Sequence, residues 1–417
     1  MINMKHIGIR AKEASMILAN QSTQTKNEAL LNIANAIDKS RKVILEANAL
    51  DIKNAIEINY KSAFIERLTL NDKRLDDIIK AVKYLIELDD PCGKIMSGST
   101  RPNGLKIKKV SVPLGVIGMI YESRPNVTVD AATLCLKSGN ACILRGGKET
   151  INTNKILADT MRSAISQAGL PEDCIILLES TDRIYAQEMM RLNEYIDVLI
   201  PRGSGKLIRT VVENSTVPVI ATGLGNCHTY IDYNADIEMA VFIANNAKNS
   251  RPSVCNAMET LLLHQNIANE VLPKIKEKMD EYNTQLRCCP TSFKILNGQK
   301  NVVEATEEDY ATEYEDYILA VKVVLDVDEA IEHINKYATA HSEAIVTNDY
   351  VNSRKFTEKI DSSTVYVNAS TRFTDGGEFG LGAEIGISTQ KLHARGPMGL
   401  DALTTVKFIV EGSGQIR

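Results

Sequence analysis

From residue 113 onward the sequence alternates short apolar runs with segments of helical length, and this alternation limits the fold more than any other feature. The runs VIGMIY, ACILRG, CIILLES, DVLIP and VPVIAT have strand length. Helices of about 10–15 residues fit between most of them. Continuous apolar runs without polar alternation are typical of strands buried on both faces. The pattern therefore predicts an α/β fold with a parallel sheet covered by helices.

A second series of strand-like runs follows Gly225, and helices dominate the N-terminal part. Residues 8–90 carry apolar side chains at helical spacing. Residues 105–112 (LKIKKVSV) predict an exposed strand, and the tail LDALTTVKFIVEG ends in another β-like run. The strand candidates after Gly225 are HTYID, METLLLH, YILAVKVV, EAIVT and STVYVN. A chain of 417 residues is too long for one simple core, so we expect two or three domains.

Charge and cysteine content argue against several classes of protein. The net charge is −5 with both signs mixed along the chain, so there is no basic stripe of the kind that binds nucleic acid. No apolar run reaches the roughly 18 residues that span a bilayer, and the N-terminus has no signal-peptide core. The eight cysteines form no CxxC pair. We therefore expect a cytoplasmic protein with reduced thiols, no metal site, and no membrane or nucleic-acid partner.

Cys255 is the first candidate for chemistry. It lies in SRPSVCNAMETLLLH, after a helix-like stretch that ends near Asn249 and before a predicted strand. A thiol on a loop between two rigid elements is well placed to act as a nucleophile, and Arg251 is a nearby cation that would favour its thiolate. Most free cysteines are instead buried structural residues, and the loop alone does not separate the two interpretations.

Asn126 directly follows the strand-like run VIGMIY, in YESRPNVTVDAA. Its side-chain amide could donate a hydrogen bond to a developing oxyanion. Asn is equally common in turns and as a helix N-cap, so that alternative stays open.

The segment PRGSGKLI follows the run DVLI and opens a predicted helix. Gly203 would let the backbone approach a phosphate, and the first N–H groups of a helix attract anions. The segment is not a Walker A loop, because Ile200 and Leu207 stand where that motif needs Gly and Ser or Thr. A simple tight turn is the alternative.

The segment RGGKE ends the run ACILRG, and it offers Arg145 and Lys148 to an anionic group. Ordinary surface charge on a solvated loop explains the same residues equally well.

The order of these parts resembles the aldehyde dehydrogenase superfamily. A strand and turn with Asn, a strand ending in a basic turn, a Gly-Ser helix start, a Gly-rich strand end and then a Cys follow one another as in those enzymes. The match runs from about residue 110 to the C-terminus. The segments that resemble the gamma-glutamyl phosphate reductase family in particular are VPLGVIGMIYESRPNVTVDAATLCLKSGNACILRGGKE, NSRPSVCNAMETLL and HARGPMGLDALTTVKFIVEG.

The resemblance implies an α/β fold of the aldehyde dehydrogenase type in three parts. A Rossmann-type NADP-binding domain would comprise residues 1–98 and 114–225, and an α/β catalytic domain residues 226–392. A small β oligomerisation element would combine residues 99–113 with 393–417. We therefore also expect a homo-oligomer.

Carried over by position, the resemblance makes Cys255 the nucleophile and Asn126 the oxyanion donor. Gly203 and Ser204 would lie at the cofactor phosphates. Glu313, in TEYEDYILAVKVV, matches the glutamate that touches the nicotinamide ribose, although the usual Glu-x-Phe-Gly-Pro reads Glu-Tyr-Glu-Asp-Tyr here.

The basic residues divide between cofactor and substrate. Lys148 stands where many NAD-using relatives have a glutamate near the adenosine ribose. Lys148 and Arg145 therefore predict a preference for NADP, whose 2′-phosphate they would pair with. Arg124 and Arg251 are candidates for gripping the substrate carboxylate or phosphate, or else for structural ion pairs.

One departure from hydrolytic aldehyde dehydrogenases indicates the reaction. Those enzymes carry a water-activating glutamate in a Glu-Leu-Gly-Gly segment, which reads Gly-Leu-Gly-Asn from Gly223 here. An enzyme that must protect a thioester from water has no use for that base. The resemblance thus implies an oxidoreductase that uses NADPH to reduce L-glutamyl 5-phosphate to L-glutamate 5-semialdehyde and phosphate. This is the second step of proline biosynthesis from glutamate, and it would run through a thioester on Cys255.

Several alternatives remain at this point. A CoA-acylating aldehyde dehydrogenase also dispenses with the base. A cysteine hydrolase would pair Cys255 with His228 and need no nicotinamide cofactor. A non-catalytic oligomeric binding protein is disfavoured by the joint presence of Cys255 and Asn126. Whether a glutamate 5-kinase partner hands over the labile phosphate is left open.

Overall fold

The computed structural model describes residues 2–122 and 124–417, and the chain divides into two compact units. The first comprises Met1–Thr222, Gly380–Gly386 and Met398–Arg417, and the second comprises Gly223–Phe379 and Ile387–Pro397. None of the described helices combines the length and apolar character that a membrane span requires. The division into three functional domains stays a prediction.

The first unit is built on a parallel sheet, as the apolar runs predict. Its helices are α1 (Met4–Leu18), α2 (Thr23–Lys39), α3 (Arg41–Glu57), α4 (Ser62–Leu68), α5 (Asp72–Glu87), α6 (Asn126–Lys137), α7 (Ile151–Gln167), α8 (Arg183–Met189) and α9 (Gly205–Asn214). Its first strands are β1 (Ile95–Thr100), β2 (Lys106–Pro113), β3 (Val116–Tyr121), β4 (Ala141–Arg145), β5 (Ile175–Leu177) and β6 (Val198–Arg202). The described parallel sheet has the order β5-β4-β3-β6.

One predicted strand of this unit is wrong. The run VPVIAT forms no strand, and Val219 makes only an isolated parallel bridge with Leu199 of β6. Leu199 N donates to Pro218 O and Ile220 N donates to Leu199 O. Pro218 has no N–H to donate, and proline is poorly tolerated inside a sheet, so the ladder does not extend.

The second unit contains a larger parallel sheet. Its helices are α10 (Ile237–Asn249), α11 (Gln265–Asp280), α12 (Pro290–Ile295), α13 (Val327–Tyr337) and α14 (Tyr350–Lys359). Its strands are β7 (Cys227–Ile231), β8 (Met258–His264), β9 (Gln285–Cys288), β10 (Val302–Glu304), β11 (Ile318–Val324), β12 (Ser342–Val346), β13 (Thr364–Val367), β14 (Ile387–Ser388) and β15 (Gly396–Pro397). The parallel sheet has the order β10-β9-β11-β8-β7-β12-β13, and β14 pairs antiparallel with β15.

Both faces of this sheet are covered, and alternate residues of its strands serve different cores. Leu261 and Leu263 of β8 pack into a cluster that includes residues of α10 and α11. Leu262, between them, packs into the cluster that includes residues of α13 and α14. Burial on both faces explains the unbroken apolar run from Leu261 to Leu263 in this strand. Strands β9 and β10 were not predicted, because they are short and carry charged residues.

A small antiparallel sheet belongs to the first unit. Strand β16 (Thr404–Glu411) pairs with β2, which pairs with β1, so the order is β1-β2-β16. The exposed strand and the tail strand read from the sequence are therefore neighbours. Apolar side chains of this sheet are exposed within the chain, Ile95 at 64% and Phe408 at 65%.

A buried carboxylate fixes the start of α7. Asp51 of α3 is 2% exposed and accepts hydrogen bonds from the backbone N–H of Asn152 at 3.3 Å and of Thr153 at 2.8 Å. It also accepts from Asn152 Nδ2 at 2.8 Å and Thr153 Oγ1 at 2.6 Å. The first N–H groups of a helix have no partners within the helix, so this carboxylate from another helix caps α7.

We predict that Asp51→Ala lowers the free energy of unfolding by about 3 kcal/mol, because four buried donors lose a charged acceptor. Urea denaturation measures the change. Glu46→Ala is the matched control on the same helix. Glu46 is exposed, and its ion pair with Lys42, at 4.0 Å, contributes little to stability. Equal losses for the two variants would contradict the capping role.

Candidate active site

The candidate residues of the first unit follow the carboxyl ends of its strands. Asn126 is the first residue of α6, after β3, and Arg145 is the last residue of β4. Gly203 and Ser204 lie between β6 and α9. Because β3, β4 and β6 are parallel neighbours, these residues share one edge of the sheet, the edge at which α/β sheets usually bind ligands.

The N-terminus of α9 already holds an anionic group. Ser204 N donates to Glu122 Oε2 at 2.8 Å, and Ser204 Oγ donates to Glu122 Oε1 at 3.2 Å. A Cβ on Gly203 would lie 2.6 Å from the same Glu122 oxygen, so glycine allows the close approach. The start of α9 therefore offers donors that an anionic oxygen can accept from, and Glu122 accepts from them here.

Asn126 does not cap a helix. Its Nδ2 donates to Asp130 Oδ2 at 2.8 Å, one turn further along α6. Burial raises the pKa of Asp130 to about 6, although the hydrogen bond from Asn126 and the charge of Arg202 oppose the rise. An amide nitrogen has two hydrogens, so Asn126 oriented by Asp130 retains a second donor. The capping alternative is therefore wrong, and the oxyanion role stays a prediction.

Arg145 and Lys148 lie at the turn after β4. Arg145 Nη2 donates to Thr181 O at 2.9 Å, while its Nε is buried without a hydrogen-bond partner among the described residues. Burial lowers the pKa of Arg145, and the nearby Glu149 partly offsets this. Lys148 is exposed in a single helical turn, and no described ion pair includes it. An unpartnered buried donor fits an anionic ligand. Arg124 is half-buried just before α6.

In the second unit the candidate residues precede their strands. Cys255 is half-buried on the loop between α10 and β8, as its sequence context predicts. Gly225 lies before β7, and Glu313 before β11. Strands β7, β8 and β11 are parallel, so these residues gather at the amino edge of the sheet.

Backbone contact fixes the position of Cys255. A Cβ on Gly225 would lie 1.6 Å from Cys255 O, so only glycine fits there. Cys227 Sγ donates to the same carbonyl oxygen at 3.2 Å. Burial raises the pKa of Cys227 well above its ordinary value, so Cys227 stays a thiol and a donor.

Glu313 is tied to the same glycine. Its Oε1 accepts from Gly225 N at 2.8 Å, and burial raises the pKa of its carboxyl group. Two residues on, Glu315 N donates to Glu259 Oε1 at 3.3 Å, and Glu315 has a φ of 53°. The segment that carries Glu313 is thus bound, through Glu315 N, to Glu259 of β8.

Glu259 is itself part of a buried ion pair. Lys248 Nζ of α10 lies 2.6 Å from Glu259 Oε2, and the two side chains are 0% and 1% exposed. Burial raises the pKa of Glu259, and the charge of Lys248 opposes the rise. Removing one partner would leave a buried charge, so the pair firmly joins α10 to β8 on either side of the Cys255 loop.

The position of the missing base is occupied. A Cβ on Gly223 would lie 2.4 Å from Thr389 Cγ2 and 2.5 Å from Thr389 Oγ1. Gly223 is not among the residues with positive φ. Glycine is therefore required here by the side chain of Thr389, and not by the backbone conformation.

His228 is not bonded to Cys255. It is 0% exposed, its Nδ1 lies 3.1 Å from Glu343 Oε2, and its Nε2 has no hydrogen-bond partner among the described residues. Its ring also packs edge-on against His333 of α13. The Cys255–His228 hydrolase therefore has no geometric support.

Arg372, which the sequence did not single out, contacts the Cys255 loop. Its Nε donates to Ser250 Oγ at 3.0 Å, and its Nη1 donates to Asn256 Oδ1. Asn256 in turn donates to Arg372 O at 3.2 Å and Thr374 O at 2.9 Å. Arg251 is exposed at the start of the same loop.

The other overlooked residues are Glu122, Asp130, Lys248 and Glu259. Each is a charged residue inside an otherwise apolar or turn-like segment of the sequence. A charged residue in an apolar segment is the signal by which the sequence could have indicated them, because such a charge needs a partner when it is buried. Among the described residues no cluster of three or more His, Cys, Asp or Glu side chains is arranged to hold a metal ion.

Comparison with known proteins agrees with this arrangement. A sequence model of the aldehyde dehydrogenase family matches residues 3–287 and 309–409. Gamma-glutamyl phosphate reductase from Clostridium botulinum is 55% identical over 410 residues, which is 98% of each chain. The same enzyme from Carboxydothermus hydrogenoformans is 56% identical over 408 residues, again 98% of each chain.

Solved structures give the same result. The crystal structure of gamma-glutamyl phosphate reductase from Thermotoga maritima has a TM-score of 0.96 at 50% identity and covers 99% of each chain. An acetylating aldehyde dehydrogenase from Geobacillus thermoglucosidasius shares the fold, with a TM-score of 0.70 at 16% identity and 100% of each chain covered. The chain is therefore an oxidoreductase that belongs to the aldehyde dehydrogenase family and, within it, to the gamma-glutamyl phosphate reductases.

Proposed function

We propose that this protein uses NADPH to reduce L-glutamyl 5-phosphate to L-glutamate 5-semialdehyde and phosphate, through a thioester on Cys255, in proline biosynthesis from glutamate. The observation that carries the proposal is the setting of Cys255. The carbonyl of this half-buried thiol residue is held by Cys227 and Gly225, and Thr389 fills the place of a water-activating glutamate. The relatives with that activity in their name match nearly the whole chain.

The residues of the chain then have defined tasks. Cys255 Sγ attacks the acyl carbon, the bond from that carbon to the phosphate oxygen breaks, and phosphate leaves. Asn126, oriented by Asp130, donates to the oxyanion of the tetrahedral intermediate. Bound NADPH supplies a hydride to the thioester carbon. The C–S bond then breaks, the aldehyde is released, and Cys255 is left as a thiolate.

Most of the proposed cofactor contacts lie at the carboxyl ends of strands in the first unit. Gly203 and Ser204 would bind the cofactor phosphates at the start of α9, where Glu122 now occupies the donors. Arg145, with its unpartnered Nε, and exposed Lys148 would pair with the 2′-phosphate of NADP. Glu313 would accept hydrogen bonds from the hydroxyls of the nicotinamide ribose.

We also propose contacts with the substrate, with further copies of the chain and with a partner enzyme. Arg124 and Arg251 are the proposed contacts for the substrate carboxylate or phosphate. The small sheet with exposed Phe408 and Ile95 is the proposed contact of a homo-oligomer. A glutamate 5-kinase is a candidate partner, since acyl phosphates are labile, and all eight cysteines are free, which suits a cytoplasmic location.

A CoA-acylating aldehyde dehydrogenase is the second candidate, because it too would lack the base. The acetylating aldehyde dehydrogenase of known structure resembles this chain only in fold. The two candidate reactions differ in the acyl acceptor, which is phosphate in one and CoA in the other.

We predict that the protein oxidises glutamate 5-semialdehyde with NADP only when inorganic phosphate is present, and that CoA does not replace phosphate. The reason is that residue 223 is a glycine, so the position that holds the water-activating glutamate in hydrolytic aldehyde dehydrogenases supplies no carboxylate here. NADPH absorbance measures the rate. Brisk oxidation without phosphate would show that the acyl-phosphate assignment is wrong.

Cys255→Ala should reduce this rate to a few per cent or less while leaving NADPH binding nearly unchanged in a fluorescence titration, because the nucleophile alone is removed. Cys92→Ala is the matched control, since Cys92 is a half-buried free cysteine of the other unit. Substantial residual activity in Cys255→Ala would exclude the thioester route.

We predict that Lys148→Glu raises the KM for NADP by about 10- to 100-fold and changes the KM for NAD little, because a carboxylate repels the 2′-phosphate and accepts ribose hydroxyls. Initial-rate kinetics with both cofactors measure this. Lys80→Glu, at an exposed position of α5 in the same unit, controls for the change in net charge. Equal losses for NAD and NADP would place Lys148 away from the 2′ position.

A further inference from the structure

The guanidinium of Arg372 is held at two points of the loop that carries the nucleophile. Its Nε donates to Ser250 Oγ at 3.0 Å, just after α10, and its Nη1 donates to Asn256 Oδ1, the residue after Cys255. Thr371 Oγ1 donates to Asn256 O at 2.7 Å, so the loop is also held by the residue before the arginine. The plane of the guanidinium is thereby set with respect to Cys255.

Among the residues that the structure describes, Arg372 forms no ion pair with a carboxylate. Its two side-chain hydrogen bonds go to a hydroxyl and an amide, which are neutral. None of the ion pairs among the described residues includes Arg372, whereas the half-buried Arg287 of the same unit is paired with Asp309. Burial and the neighbouring Arg251 lower the pKa of Arg372, while the neighbouring Cys255 and Asp375 raise it. A half-buried cation that forms no ion pair is costly to bury, so an anion bound beside it would be stabilised.

We propose that Arg372 is the binding residue for the phosphoryl group of the substrate, held in place by Ser250 and Asn256. This deepens the proposed function and rests on it. In the reductive direction the leaving phosphate departs from the carbon that Cys255 Sγ attacks. In the oxidative direction an oxygen of inorganic phosphate attacks the thioester carbon, the C–S bond breaks, and the thiolate leaves without a change of oxidation state. The phosphate must therefore bind beside Cys255 in both directions.

A guanidinium suits this task better than an ammonium. Arginine has five N–H donors, of which two are used by the loop, so its remaining N–H groups can bind phosphate oxygens while the anchors persist. A lysine has no rigid fork and cannot hold both anchors and a phosphate in one plane. Arg251 adds a second cation, but it is exposed and has no described anchor.

The test is Arg372→Gln in the full-length protein, assayed by oxidation of glutamate 5-semialdehyde with NADP over a range of inorganic phosphate concentrations. We expect the KM for phosphate to rise by about 10- to 100-fold, since charge-assisted hydrogen bonds are lost, while the KM for NADP stays within about twofold. Arg372→Lys should keep the charge but lose the fork, and its KM for phosphate should lie between the two. Arg354→Gln, on exposed α14, is the matched control.

A second measurement separates phosphate binding from a purely structural role. Inorganic phosphate should slow the alkylation of Cys255 by iodoacetamide in the wild type. In Arg372→Gln, the same phosphate concentration should slow the alkylation of Cys255 less. A lower kcat with an unchanged KM for phosphate would overturn the inference, as would a changed pH profile of alkylation with unchanged protection. If the glutamine variant does not fold, the lysine variant decides by the same two measurements. Phosphate-independent oxidation by the wild type would instead overturn the proposed function and this inference with it.

Discussion

The approach of Gly225 to the carbonyl of Cys255 is the contact on which the second unit depends most. A side chain on residue 225 would need to occupy the position of a backbone oxygen, because its Cβ would lie 1.6 Å away. The close approach therefore requires glycine at position 225, and the hydrogen bond from Cys227 Sγ to the same carbonyl oxygen ties the two segments together. The backbone of Cys255 is therefore held by the segment that leads into β7 and by the first residue of that strand.

Buried charges extend this constraint into the rest of the unit. Glu313 accepts from Gly225 N, its segment is held through Glu315 by Glu259, and Glu259 is paired with Lys248. The ends of α10 and β8, between which Cys255 lies, are thus joined by an ion pair with almost no exposure to water. Such a pair contributes little net stability compared with apolar side chains, but it penalises any arrangement that separates its partners. We infer that its value is geometric: it permits only one course of the loop.

The two units use opposite edges of their sheets. In the first unit, Asn126, Arg145 and Ser204 follow strands, as is usual for ligand-binding residues of α/β sheets. In the second unit, Cys255 and Glu313 precede strands. Within each unit, the direction of the parallel strands decides which loops gather at an edge of the sheet.

The sequence by itself determined the α/β class, most of the strands and the place of Cys255 between a helix and a strand, because buried parallel strands must be apolar throughout and helices must be periodic. It did not reveal that VPVIAT stays outside the sheet, since only the partner strand shows the ladder ending at Pro218. Tertiary structure alone decided that Arg372 meets the Cys255 loop and that Thr389 fills the site beside Gly223. These contacts join residues more than 100 positions apart, and no local pattern records which distant side chain fills a given space.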